Sequence, residues 1–201
     1  FTGKRVRLRA LEPQDVEIWV ENDRNKDTDM SRCDDCIPLP RPEWMLRQDF
    51  PERIKRESEM QSYRFVIENK EGQVVGSINA HSVDVRMGSF SYGLGIQEEF
   101  RHKGYASEAI LLLMRFYFME LRFHKCNAAA YEFNEASIGL HDRLGFVREG
   151  RQREVGYTKG RYWDLIDRMG YISPFDGSRA RQVLITKEEF EEKYSEFSQE
   201  G

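Results

Sequence analysis

The sequence predicts an α+β fold of three layers, in which a mixed, mostly antiparallel central sheet is flanked by helices. Three strand-like segments follow one another at residues 63–69, 73–83 and 89–96, with connections too short for crossover helices. A long amphipathic helix comes next, and a strand, a short helix and a hairpin complete the pattern. Hairpins combined with sheet-covering helices are typical of a single α+β domain.

The first elements of the chain are a strand and two helices. Charged and apolar residues alternate from Lys4 to Leu11, as in a half-buried strand. Pro13 opens a helix whose first turn is acidic, where the helix dipole favours negative charge. Residues 22–42 are polar and predict a loop or a broken helical segment, and residues 43–60 predict a second helix.

The middle of the chain forms an antiparallel meander followed by the clearest helix of the sequence. The turns NKEG (69–72) and DVRMG (84–88) separate the three strands. A helix then begins near Gly104, because apolar residues recur at spacings of three and four and form one buried face. That apolar face comprises Ala106, Ala109, Ile110, Leu113, Met114, Tyr117, Phe118 and Leu121.

The remaining elements are a short apolar strand (KCNAAAYEF), a helix and a hairpin. The helix begins near Asn134 and ends at Gly145, since Asn is a favoured N-cap and Gly a favoured C′ residue. Residues 151–172 predict a hairpin that turns at residues 158–160. We therefore assign residues 1–173 to one domain and residues 174–201 to a C-terminal extension that ends in a helix.

Composition restricts the classes of partner. The formal net charge is −4 and no long basic run occurs, which argues against nucleic acid. No apolar stretch approaches the roughly 20 residues that span a membrane, and FTGKRVRLRA lacks the apolar region of a signal peptide. Cys33 and Cys36 could be half a zinc site or a redox pair, but no second pair with ligand spacing follows. We expect reduced thiols, no bound metal and a cytoplasmic location.

The segment FRHKGYASEA (100–109) combines a basic loop, a glycine and the beginning of a helix. Helix N-termini present unpaired N–H groups and positive potential, which together bind phosphate oxygens. Gly104 has no Cβ and lets a phosphate approach the main chain closely. The alternative is an ordinary solvated loop with a glycine at its turn.

The order of these elements resembles the GCN5-related N-acetyltransferase (GNAT) superfamily. Arg101-His102-Lys103-Gly104-Tyr105-Ala106 matches its acetyl-CoA signature R/Q-x-x-G-x-G/A, and N-x-x-S followed by LGF lies about 30 residues later. The segments GKRVRLRALEPQDV, LHDRLGF and GRYWDLI resemble the branch that contains ribosomal-protein N-terminal and spermidine acetyltransferases.

The resemblance implies a binding site for acetyl-CoA as cosubstrate. The main-chain amides from Arg101 to Ala106 are expected to hold the diphosphate. The splayed strand end at Leu94, Gly95 and Ile96 is expected to bind the pantetheine arm and the thioester carbonyl. Asn134 is expected to contact the coenzyme, and it can cap its helix at the same time.

The groups that move protons are less well defined. Many relatives carry a Tyr as proton donor in Y-x-x-L-G-F, and His141 stands there in this chain. Some N-terminal acetyltransferases use a Ser at the position of Ser137. The two side chains are four residues apart and share one helix face, so either is a candidate donor. The candidate general bases, of which none is preferred over a water chain, are Glu132, Glu154, Asp84, His81 and Tyr92.

These features predict an acetyl-CoA-dependent N-acetyltransferase in which an amine attacks the thioester directly in a ternary complex. Cys126 is then expected to pack in the core and not to act as a nucleophile. The acceptor is a small-molecule amine or a protein N-terminus, and the aromatic face of the tail helix makes a homodimer a further expectation. The alternative is a non-catalytic acyl-CoA-binding or sensing module on the same fold.

Overall fold

A single seven-stranded sheet forms the centre of the molecule in the computed structural model, which describes residues 1–24, 41–59 and 63–171. The strand order is β1-β2-β3-β4-β5-β7-β6, and every neighbouring pair is antiparallel except β4 and β5. The predicted mixed, mostly antiparallel sheet flanked by helices is therefore confirmed. The strands are β1 (Val6–Ala10), β2 (Arg64–Asn69), β3 (Val74–Asp84), β4 (Ser89–Ile96), β5 (Lys125–Tyr131), β6 (Val147–Thr158) and β7 (Arg161–Tyr171).

Four α-helices accompany the sheet, namely α1 (Val16–Arg24), α2 (Glu43–Glu59), α3 (Tyr105–Arg115) and α4 (Glu135–Arg143). A short 3-10 turn precedes α1 at Pro13–Asp15. Residues 22–42 are predicted to form a loop or a broken helical segment; α1 continues to Arg24, as in the second alternative, and residues 25–40 lie outside the described residues.

Helix α3 packs on the sheet through the apolar face that its spacing predicted. Ala109, Ile110 and Leu113 have no exposed surface. The regular α-helix ends at Arg115, however, and not near Leu121, because residues Phe116–Glu120 form a wider π-helical turn. This turn places the ring of Tyr117 against that of Phe90 with the centroids 4.1 Å apart.

The main core lies between α3 and the sheet, and Cys126 of β5 is part of it. The Cys126 thiol is free and fully buried. Burial raises its pKa well above the ordinary value, which keeps it as an unreactive thiol. The expectation that Cys126 packs in the core is therefore confirmed.

The β6–β7 hairpin begins at Val147 and turns at Lys159 and Gly160, both of which have a positive φ. The turn was predicted correctly, but the hairpin begins four residues before the predicted Arg151.

The Cys33–Cys36 pair and the predicted tail helix lie outside the described residues. No helix of the described residues has the length and apolar character needed to cross a membrane. No three His, Cys, Asp or Glu side chains within the described ranges lie close enough together to hold a metal ion.

Candidate active site

The central feature of the sheet is a gap between β4 and β5. The two strands pair in parallel only where Ser89–Ser91 of β4 meets Lys125–Asn127 of β5. Beyond this point β4 continues to Ile96 and β5 to Tyr131, and no further pair joins them. The strands therefore diverge, and their facing main-chain groups lack a strand partner along this edge.

The hydrogen-bond register shows which groups of β4 face the gap. The N–H of Gln97 donates to the carbonyl oxygen of Val75 on β3 at 2.9 Å. Because bonded and non-bonded pairs alternate along an antiparallel ladder, Gly95 also bonds to β3, whereas Leu94 and Ile96 direct their N–H and C=O groups toward β5. The coenzyme contacts predicted for Leu94, Gly95 and Ile96 stay predictions; the register turns the amides of Leu94 and Ile96 toward the gap and that of Gly95 toward β3.

The carbonyl group of Gly95 faces β3 and not the gap. A Cβ added to Gly76 on β3 would lie only 2.1 Å from the carbonyl oxygen of Gly95. Only glycine at position 76 therefore lets β3 and β4 approach this closely at the end of the gap.

The opposite wall of the gap is β5. The N–H of Glu132 donates to the carbonyl oxygen of Asp164 on β7 at 3.0 Å, so alternation turns Ala129 and Tyr131 toward β4. The carbonyl oxygen of Tyr131 is already used, because it accepts the N–H of Asn134 at 2.8 Å. Both walls therefore present main-chain donors and acceptors, which suits an extended chain that carries amide groups.

The basic loop lies where the gap reaches the N-terminus of helix α3. Gly104 is the N-cap with a φ of +83°, and no side chain caps the helix. His102 also has a positive φ of +62°. Arg101 turns back toward β4, where its Nε donates to the carbonyl oxygen of Ile96 at 3.2 Å, and Lys103 places Nζ 5.1 Å from the centre of the Phe100 ring.

The uncapped amides after this loop form a site suited to an anion. The first N–H groups of a helix have no intrahelical partner, and the helix dipole adds positive potential there. Residues 101–106, for which the sequence predicts diphosphate binding, thus lie at one end of the gap.

Helix α4 begins at the other wall of the gap. Asn134 caps it, since its Oδ1 accepts the N–H of Ser137 at 3.1 Å. Ser137 and His141 share one face, with Oγ and Nδ1 3.4 Å apart, and Nδ1 lies 2.7 Å from the carbonyl oxygen of Ser137. The hydroxyl of Tyr92 on β4 lies 2.6 Å from Nε2 of His141.

The contact with the carbonyl oxygen shows which ring nitrogen of His141 is a donor. A carbonyl oxygen can only accept, so Nδ1 carries a proton, and in the neutral ring Nε2 then accepts the hydroxyl proton of Tyr92. The side chains of Tyr92 and His141 are both buried. Burial raises the pKa of the Tyr92 phenol well above its usual value, so Tyr92 stays protonated and does not serve as the general base.

The other candidate bases lie in different places. Asp84 is the last residue of β3, opposite Ser89 at the end of β4 that is distant from the gap, and its Oδ1 accepts the N–H of Met87. Glu132 pairs with Arg151 at 3.2 Å, and Glu154 is exposed on the β6–β7 hairpin. His81 is exposed on β3 beside Ser91, at the level where the gap opens. Of these four candidate bases, His81 is the one that lies where the gap between β4 and β5 opens.

Sequence reasoning missed two residues beside the N-terminus of helix α3. Arg5 lies against Gly104, and the buried carboxylate of Glu108 binds the main chain around Arg5. Arg5 was interpreted only as part of an alternating strand, and Glu108 only as a member of a helix. No local signal joins them, because they are separated by 103 residues in the chain.

A sheet that opens between two parallel strands beside an uncapped helix N-terminus suits an extended ligand with an anionic end. Residues 5–147 match the family model described as acetyltransferase (GNAT) domain. The chain therefore belongs to the GNAT acetyltransferase family, and it is an acetyl-CoA-dependent N-acetyltransferase.

Two relatives from Bacillus subtilis strain 168 illustrate the family. The chain is 36% identical over 166 residues to the SPbeta prophage-derived uncharacterized N-acetyltransferase YokL, covering 83% of this chain and 89% of YokL. It is 31% identical over 96 residues to YdaF, a protein provisionally named a ribosomal N-acetyltransferase, covering 48% of this chain and 52% of YdaF.

Solved structures with the same fold include spermidine N-acetyltransferase from Vibrio cholerae. Its complex with CoA and spermine superposes with a TM-score of 0.72 at 22% identity, covering 84% of this chain and 96% of that one. A dodecameric form of the Vibrio cholerae enzyme gives a TM-score of 0.69 at 22% identity, covering 84% of this chain and 95% of that one. At this level of identity the similarity shows the fold.

Proposed function

We propose that the chain transfers the acetyl group of acetyl-CoA directly to a primary amine while both substrates are bound. The observation that carries this proposal is the gap between β4 and β5, whose walls present main-chain N–H and C=O groups without a strand partner. The residues fit the coenzyme, because main-chain amides line the extended gap and the uncapped helix α3 begins at the end of the gap. No covalent acyl-enzyme is required, and the buried Cys126 is unsuited to form one.

Each part of the gap has a proposed role. The amides of residues 101–106 bind the diphosphate, and Ala129 and Tyr131 bond the pantetheine amides. The N–H groups of Leu94 and Ile96, which are two residues apart on one strand edge, are shared between the pantetheine arm and the thioester, so that one of them donates to the thioester carbonyl oxygen. The coenzyme supplies a thioester carbonyl carbon that a neutral amine can attack. Fixed N–H donors accelerate this attack because they stabilise the negative charge that develops on the oxygen.

The departing sulfur needs a proton, and Ser137 is the donor that the geometry favours. His141 was an equal candidate, but both of its ring nitrogens are engaged and its side chain is buried. We propose that His141, held by Tyr92, positions Ser137 through the contact between Nδ1 and Oγ. Asn134 holds the same turn through its cap and contacts the coenzyme from there.

Replacing Ser137 by Ala is expected to lower kcat by about 100-fold with little change in the KM for acetyl-CoA, because the loss affects only proton transfer. Tyr92→Phe is expected to give a smaller loss of kcat, since it frees the His141 ring without removing the hydroxyl of Ser137. Steady-state kinetics at saturating acetyl-CoA measures both effects, with Ser89→Ala at the distant end of β4 as the matched control. Unchanged kcat in Ser137→Ala and in His141→Phe would refute the proposal that these residues of α4 donate and position the proton for the departing sulfur.

The identity of the acceptor is best approached through a screen. Polyamines and protein N-termini are the two amine classes suggested by the names of similar proteins and by the negative net charge of the chain. Spermidine, aminoglycosides and peptides that begin with Ala, Ser or Met should be compared by the release of free CoA thiol. Turnover with one class identifies the acceptor.

Acetyl-CoA at 100 times its Kd is expected to stabilise the fold by about 2.7 kcal/mol, because it binds only the folded state. For a chain of this size the expected rise in melting temperature is roughly 5–10 °C, and thermal unfolding with and without the ligand measures it. An unchanged melting temperature would contradict the coenzyme site. A rise in melting temperature without thiol release from any amine would instead support a non-catalytic acyl-CoA sensor.

A further inference from the structure

Arg5 lies directly over the N-cap of helix α3. Its Nη1 is 2.6 Å, and its Cζ 3.3 Å, from the position that a Cβ on Gly104 would occupy. Gly104 begins the set of uncapped amides to which the coenzyme diphosphate is assigned. The guanidinium group thus belongs to the same small region, although it comes from the opposite end of the domain sequence.

A buried carboxylate fixes Arg5 in this place. Glu108, in the first turn of α3, is 4% exposed and accepts three main-chain N–H groups. Its Oε1 accepts the N–H of Lys4 at 2.8 Å, and its Oε2 accepts those of Arg5 at 2.6 Å and Val6 at 2.7 Å. Gly3 passes so close that an added Cβ would lie 2.8 Å from the carboxyl carbon of Glu108. The N-terminal segment is therefore attached to α3, and the side chain of Arg5 starts from a fixed point.

The guanidinium group of Arg5 has different surroundings from those of the neighbouring arginines on the same segment. Arg7 and Arg9 both bond to the carboxylate of Glu68, and Arg9 also bonds to Asp15. Arg5 is exposed and has no carboxylate partner within residues 1–24, 41–59 and 63–171. A cation beside a helix N-terminus is unfavourable unless an anion lies between them, because the dipole is positive there.

We propose that Arg5 is a phosphate-binding residue of the coenzyme site, acting together with the amides that follow Gly104. This inference rests on the proposed coenzyme site and adds a residue outside the R-x-x-G-x-A signature. The guanidinium presents a planar set of donors that matches phosphate oxygens, and it remains charged at any physiological pH. Coenzyme A carries two such groups, the diphosphate and the 3′-phosphate of its ribose, and either is a suitable ligand.

The test measures binding by calorimetry and therefore needs no acceptor. Arg5→Ala is expected to weaken the binding of CoA about tenfold and to leave the weaker binding of pantetheine, which has no phosphate, unchanged. Arg5→Lys is expected to recover part of the affinity, because it retains the charge but not the fork of donors. Dephospho-CoA, which lacks the 3′-phosphate, identifies the phosphate that Arg5 contacts. If Arg5 binds the 3′-phosphate, Arg5→Ala no longer weakens the binding of dephospho-CoA; if Arg5 binds the diphosphate, the tenfold loss remains.

Arg86→Ala is the matched control, because Arg86 is an exposed arginine in the β3–β4 turn at the other end of β4. It removes the same charge and is expected to leave CoA binding unchanged. Equal CoA affinity of wild type and Arg5→Ala would overturn the role of Arg5 while leaving the coenzyme site intact. An equal loss in Arg86→Ala, or a matching loss for pantetheine, would also overturn it. Failure of the wild-type chain to bind CoA would remove the proposed function as well.

Discussion

Gly104→Glu is expected to weaken the binding of CoA by more than about 100-fold while the protein still folds. Glutamate places a negative charge at the helix N-terminus, where the coenzyme phosphates are expected to lie, and like charges in contact cost several kcal/mol. Its Cβ would also meet Nη1 of Arg5 at 2.6 Å, so the guanidinium must move. Calorimetry with CoA measures the loss, and circular dichroism shows whether the fold is retained.

Gly72→Glu is the control for this substitution. Gly72 lies in the β2–β3 turn with a φ of +78°, and an added Cβ there would meet no atom within 4 Å. It introduces the same side chain at a similar backbone conformation, at a cost of about 1–2 kcal/mol in stability. We expect both variants to lose comparable stability and only Gly104→Glu to lose coenzyme binding. Normal CoA affinity in Gly104→Glu would show that the phosphates bind elsewhere.

The parts of the molecule that follow from local patterns could be predicted from the sequence. The turn at Gly160, the cap at Asn134 and the loop before Gly104 depend on residues that are close in the chain. Short-range steric and hydrogen-bonding preferences decide such features. The apolar face of α3 was correct for the same reason, although the π-helical turn after Arg115 depends on packing against Phe90 and was not visible.

The finer geometry of the site depends on register and on distant contacts, which a single sequence does not reveal. Gly95 was assigned to the coenzyme with its neighbours, but alternation in the ladder turns its amide toward β3. His141 was an equal candidate for the proton donor until its pairing with Tyr92, 49 residues away, placed it in the interior. The ion-binding role proposed for Arg5 depends on its contact with the α3 N-cap.

Glu108→Ala is expected to reduce the free energy of unfolding by about 3 kcal/mol, because three main-chain N–H groups lose their acceptor and that of Val6 is buried. Glu108→Gln is expected to recover little of this. Either carboxamide orientation places an NH2 donor against at least one of those N–H groups. Urea unfolding measures both variants. Glu120→Ala, an exposed glutamate in the π-helical turn after α3, is the control and should be nearly neutral.

The Glu108→Ala variant also tests whether this carboxylate supports coenzyme binding through Arg5. If Glu108 holds Arg5 over Gly104, then Glu108→Ala should weaken CoA binding, and adding Arg5→Ala to it should cause little further loss. Such non-additivity is the signature of two residues that act through one contact. Fully additive losses in the double variant would show that Glu108 supports the fold alone and that Arg5 reaches the phosphates without it.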